Sequence, residues 1–169
     1  MALRHPVRSR DRKLPELWLM TDERIGERLW DAIAQLPRGS GIVLRHHATP
    51  AVERAGLKRR IARLARRNGL LLVDEASPET KPIRIGRAHS VREGLAARRA
   101  GAEMVFVSPV YPTRTHPGAP ALGPVRAAAI ARAVGLPAIA LGGMNTRRYR
   151  RLAGLGFVGW AAIDALTLG

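Results

Sequence analysis

Residues 104–145 read MVFVSPVYPTRTHPGAPALGPVRAAAIARAVGLPAIALGGMN, and the fold turns on how that run is parsed. MVFV (Met104 to Val107) is a short unbroken apolar run that stops at Ser108-Pro109, as expected of a strand buried on both faces. PVRAAAIARAVG follows as a helix, with Pro124 in the first turn and Gly135 at the stop, both placements that helices favour. AIAL is a second strand, which runs into Gly142-Gly143 and a further helix that Asn145 or Thr146 would cap. Strand, helix and strand in this order make a parallel βαβ unit. The connection between Val107 and Pro124, rich in Pro, Gly and Thr with one His, is longer than a spacer requires. Loops of that length in compact domains more often bind something.

Outward from this unit the same alternation repeats. LWLM (Leu17 to Met20) precedes Ile25, Leu29, Ile33 and Leu36 at helical spacing, and GIVL (Gly41 to Leu44) is the next strand. A helix after it turns Leu57, Ile61, Leu64 and Ala65 inward and Arg59, Arg60, Arg63, Arg66 and Arg67 outward. LLLV (Leu70 to Val73), IRIG (Ile83 to Gly86), a helix from about Val91, and VGWAAI (Val158 to Ile163) complete the series. A βα unit repeated about seven times predicts a parallel sheet covered on both sides. An open doubly wound sheet and a closed barrel both satisfy it. In either, chemistry belongs at the carboxyl ends of the strands. There stand Thr21-Asp22, Arg45-His46-His47, Asp74-Glu75, His89-Ser90, Ser108 through His116, Gly142-Gly143 and Asp164.

Length and composition bound the rest. A chain of 169 residues suits one domain, read here as residues 14–169 behind a basic tail over residues 1–13. Cysteine is absent, which excludes disulfides and thiolate metal sites and fits a reducing cytoplasm. No apolar run reaches membrane-spanning length and the N-terminal residues carry no apolar signal segment, so a cytoplasmic protein without a membrane partner is expected. The net charge of +16 is almost all arginine on polar faces, and aromatic residues make up only 4% of the chain, which leaves little to stack on bases. Nucleic acid is therefore not the expected partner; if bound, it would meet the tail Arg4 to Lys13 and the segment LKRRIARLARR.

The Gly142-Gly143 turn lets backbone N–H groups approach a phosphate, or is simply a tight βα turn. The histidines at the strand ends offer proton transfer, and their spacing matches no compact metal motif.

VREGLAARRAGAEMVFVSPVYPTRTHPGAPALG, followed by LPAIALGGMN and GFVGWAAIDAL, resembles the C-terminal half of the thiamine-phosphate synthase and TenI (thiazole tautomerase) superfamily, closest to the TenI-like branch with its SPVFPT-SHPG wording. The resemblance covers Ile83 to Leu166 closely and the N-terminal strands more loosely. It implies a TIM-type barrel of thiamine metabolism that binds a phosphorylated thiazole or pyrimidine compound at its C-terminal mouth. Thr113 and Thr115 match loop threonines that hold phosphoryl oxygens, and Gly142 and Gly143 match the phosphate-binding turn. Arg45 matches the arginine after strand two, and Asp74 a ligand of the Mg²⁺ that helps pyrophosphate leave.

The departures are specific. His116 stands for the loop lysine, Val43 and His47 for the glutamine and lysine flanking the arginine, Val73 for the asparagine before the aspartate, and Asp164 for a serine near the thiazole phosphate. The lysine's fixed positive charge is thereby lost, and a second metal-binding aspartate goes with the strand-four unit missing between Asp74 and Pro82, so weak synthase activity is expected. A tautomerase-like proton shuttle with His116 and His89 as acid and base is the second enzymatic reading. A non-catalytic relative with an RNA-binding basic surface is the third. Only nine residues, Asp74 to Pro82, separate LLLV from IRIG, where the family carries a whole strand-four unit. The expectation is a shortened barrel of about seven parallel strands whose exposed edge is covered by homodimerisation.

Overall fold

A computed structural model describes residues 13–77, 82–113, 118 and 120–167; the basic tail, apart from Lys13, lies outside them. Seven strands, β1 (Leu17–Met20), β2 (Gly41–Leu44), β3 (Leu71–Asp74), β4 (Ile85–Ala88), β5 (Met104–Val107), β6 (Ala138–Leu141) and β7 (Phe157–Ala162), alternate with helices α1 (Arg28–Gln35), α2 (Ala51–Asn68), α3 (Val91–Arg99), α4 (Gly123–Val134) and α5 (Thr146–Arg150). All the strand pairs are parallel, and the order across the sheet is β3-β2-β1-β7-β6-β5-β4. The circuit is that of a (βα) barrel with one step missing, between β3 and β4. A doubly wound sheet, whose order reverses in its middle, is excluded. The sheet curls: Trp18 on β1 and Phe106 on β5 lie three places apart in it, yet their rings meet edge to face at 5.9 Å.

The alternation of side chains explains the unbroken apolar strands. On β5, Met104 and Phe106 join the cluster that holds Trp18, Ile42 and Ile139, whereas Val105 and Val107 pack with Ala127, Ile130, Ala131 and Val134 of α4. Both faces of β5 are thus dry, and all four of its residues are buried. Gly41, paired with Trp18 in the β1–β2 ladder, has no side chain because a Cβ there would run into the Trp18 indole.

Four strands begin and end where the sequence places them. Three shift. The Leu70 N–H is used by the Ala65 carbonyl in closing α2 around the left-handed Gly69, so β3 starts one residue late and extends its ladder to Asp74, opposite Leu44. Arg84 is taken up by Glu103, whose carboxylate accepts its N–H and whose N–H donates to its carbonyl, so β4 begins at Ile85. β7 starts one residue early, at Phe157. The caps follow the sequence signals: Ser90 accepts from Glu93 at α3, Asn145 accepts from Arg148 at α5, Pro124 sits in the first turn of α4 and Gly135 is left-handed at its end.

Candidate phosphate-binding mouth

The loops after the strands converge on a cavity of about 420 Å³ lined by Arg45, Arg87, His89, Ser108, Pro109, Pro112, Thr113, Leu141 to Asn145, Arg148 and Ala161 to Ala165. A larger hollow of about 850 Å³ opens at the other end, where Leu17, Pro37, Gly39, Phe157 and Trp160 line it. It gathers the amino ends of strands, and chemistry in this fold belongs at the carboxyl ends. The mouth brings together five of the residues singled out in the sequence: Arg45, His89, Thr113, Gly142 and Gly143. Asp74 does not line it. Thr115 and His116 lie outside the described residues.

Arg45 follows β2 and is the most informative side chain here. Its backbone N–H donates to Thr21 Oγ1 (3.0 Å), which lies 2.8 Å from His46 Nδ1. Burial lowers the affinity of His46 for a proton, and its Nδ1 and the Thr21 hydroxyl share a hydrogen bond. The His46 carbonyl is held by Arg54 Nε at 3.1 Å, which fixes the chain through its left-handed turn (φ 29°). Beyond this braced turn the Arg45 Nε is buried without a hydrogen-bond partner. A buried donor left unpaired costs on the order of 1–3 kcal/mol. An anion in the mouth would remove that cost.

His89 stands at the end of β4 with Nδ1 2.6 Å from the Ser108 carbonyl. A carbonyl accepts only, so Nδ1 carries the proton and Nε2 of the neutral ring keeps its lone pair. Gly142 and Gly143 both have positive φ (93° and 59°). A Cβ on Gly142 would lie 2.7 Å from Pro109 Cα, and one on Gly143 would strike the Pro112 carbonyl. The two glycines therefore let the loop after β5 settle on the turn after β6, and both also line the mouth. Arg148 donates to the Gly143 carbonyl and stacks on Tyr111 at 4.7 Å.

Asp164 also lines the mouth. It lies within electrostatic reach of Arg24, which itself grips Asp22 at 2.7 Å, and Arg45 also acts on Asp22. Arg147 is exposed on α5 and absent from the lining.

Magnesium, implied by the resemblance, needs about six oxygen ligands in near-octahedral array. Asp74 does not offer them. Its carboxylate accepts from Arg54 at 2.6 Å, Lys58 at 2.8 Å, the Ala76 N–H at 3.0 Å and the Ser77 hydroxyl at 3.0 Å. No group of three His, Asp or Glu that could hold a metal exists among the described residues. Arg54 and Lys58, four apart on α2 beside Ile61 and Ala65, were legible as a cationic edge to its buried face, but not as partners of a residue on another strand. Arg87 and Arg148 gave no signal apart from their charge.

Over residues 73–166, more than half of the chain, the sequence matches the family model described as thiamine monophosphate synthase. It is 38% identical over 88 residues to the thiamine-phosphate synthase of Methanospirillum hungatei, covering 51% of this chain and 43% of that one. Against the thiamine-phosphate synthase of Pyrococcus horikoshii it is 26% identical, covering 89% and 86% of the two. The solved thiamine phosphate pyrophosphorylase of Pyrococcus furiosus superposes with a TM-score of 0.74 at 23% identity, over 89% of this chain and 86% of that one.

Proposed function

Since the chain belongs to the thiamine monophosphate synthase family, we propose that its cationic mouth receives a phosphorylated thiazole or pyrimidine compound of thiamine metabolism. Arg45, Thr113 and the Gly142-Gly143 turn face the phosphate, and Asp164 keeps that charge on the Arg45 side of the rim. The unpaired buried Nε of Arg45 in a mouth shared with Arg87, Arg148 and His89 carries the reading. Guanidinium groups suit phosphoryl oxygens because their planar donors match them two at a time. Held there, a diphosphate would leave with its charge already balanced while the acceptor nitrogen is oriented against the carbon it attacks.

A second reading is favoured by one contact. The Ser108 carbonyl fixes His89 with Nε2 as the acceptor, the state a general base needs, so a proton shuttle on a thiazole is available to the same mouth. A cytoplasmic protein is the reading its similarity to biosynthetic enzymes supports, and no helix among the described residues is long and apolar enough to cross a membrane. A second copy of the chain covers the seam between β3 and β4.

Calorimetric titration with thiamine phosphate and with thiazole phosphate tests the function. Saturable binding is expected, weakened roughly tenfold or more in Arg45→Ala, as loss of one charge-assisted contact implies. Absence of binding for both compounds, or equal binding by the variant, would refute it.

A further inference from the structure

Asp164 is the acid that lines the mouth, and the carboxylates on the neighbouring strand ends and loops are already engaged. Asp22 is held by Arg24, Glu23 accepts from the Ala48 N–H and the Thr49 hydroxyl, and Glu75 accepts from Arg87 and His47. Asp74 is engaged by two cations, a backbone N–H and a hydroxyl. Its partner Arg54 is tethered as well, since the carbonyls of Leu44, Arg45 and His46 accept from the same guanidinium. A divalent cation at Asp74 would have to expel Arg54 or Lys58 and then share the site with the other. Like charges at such range repel one another before any ligand bond forms. Val73, before Asp74, and Leu44, opposite it in the ladder, are buried and apolar, so neither side chain offers an oxygen ligand. The cationic half of the mouth has the opposite character: Arg45 holds a buried donor with nothing to bind, and Arg87, Arg148 and His89 share the lining.

We infer that this mouth takes a diphosphate-class anion directly on its guanidinium groups, free of a divalent cation, and that Arg54 and Lys58 occupy the charge position a metal would otherwise take at Asp74. The inference rests on the reading of the mouth as a phosphate site and names the form in which the anion is bound. A metal-complexed diphosphate presents two charges fewer to the arginines. Free diphosphate therefore binds at least as well as its magnesium complex.

The test is a titration of inorganic pyrophosphate into the full chain, once with EDTA and once with excess Mg²⁺, on the wild type and on Arg45→Ala. Binding should be saturable in EDTA, equal or weaker with Mg²⁺, and roughly tenfold weaker in the variant under both conditions. Binding that appears, or tightens tenfold, only with Mg²⁺ would overturn the inference and leave the phosphate site standing. No binding in either condition would overturn both. Mn²⁺ added to the protein alone gives a readout independent of the anion: its free-ion paramagnetic resonance signal should stay undiminished, and attenuation by stoichiometric protein would count against a metal-free Asp74.

Discussion

Asp74 and His46 make the protein's stability depend on acid in two separate windows. Burial alone would raise the Asp74 pKa, but the Arg54 and Lys58 hydrogen bonds outweigh it and hold the carboxyl well below the usual range. Its contribution is therefore present above the unfolded value, about 3.9, and is lost as pH falls through the folded one. Burial likewise lowers the pKa of His46, so the unfolded chain takes up that proton first, and stability declines once pH drops below about 6.5. Urea midpoints should fall in both windows. His46→Asn, which tolerates the left-handed turn, should flatten the upper one, and Asp74→Asn should flatten the lower while costing on the order of 3–5 kcal/mol at neutral pH through the stranded Arg54. Unchanged pH profiles in the variants would remove these two groups from the account. Asp74 was legible in the sequence as a strand-end acid. That it belongs to Arg54 and Lys58 was not, because their meeting depends on how α2 lies across the end of β3.

Among the elements, β1, β2, β5 and β6 could be read residue for residue, since runs such as MVFV and GIVL have only one packing that dries both faces. The shifts of β3 and β4 could not, because side-chain and cap hydrogen bonds at Leu70 and Arg84 set them. Gly41 shows how tightly the strands are matched. The Trp18 indole above it is fully buried, with Nε1 donating to the Pro15 carbonyl at 2.7 Å, so it has nowhere to retreat. Gly41→Ala should destabilise by about 1–3 kcal/mol, the range for overpacked cores, and a denaturation midpoint matching wild type would show the ring is freer than drawn. The seam is bridged at the mouth by Arg87, at the end of β4, which pairs with Glu75 just after β3. Partly exposed, this pair contributes no more than about 1 kcal/mol. Glu75→Gln should accordingly leave global stability nearly intact while speeding hydrogen exchange in β3 and β4 over that in β1 and β7. Equal rates in all four strands would show that the pair does not hold the seam.

For the whole molecule, the two free edges carry half-buried Leu71, Leu72 and Ile85, and a second copy is the cover we assign to them. Sedimentation equilibrium should report a dimer that Leu72→Lys shifts toward monomer; a wild type that stays monomeric as concentration rises would leave the edges bare. The net charge of +16 opposes association, so salt should strengthen the dimer.

The strand order also bears on how the molecule comes to exist on a ribosome. β1, the first strand, lies inside the sheet, and its second neighbour is β7, with Leu17 paired to Trp160. At about 5–20 residues per second, the nascent chain waits on the order of ten seconds between the emergence of the one strand and that of the other. During that time β1, β2 and β3 with α1 and α2 exist as a fragment whose most apolar strand has one side unpaired. Contacts so distant in sequence also form slowly. The segment most in need of a holdase during translation is thus Leu17 to Met20, of whose residues Trp18, Leu19 and Met20 are fully buried once synthesis is complete.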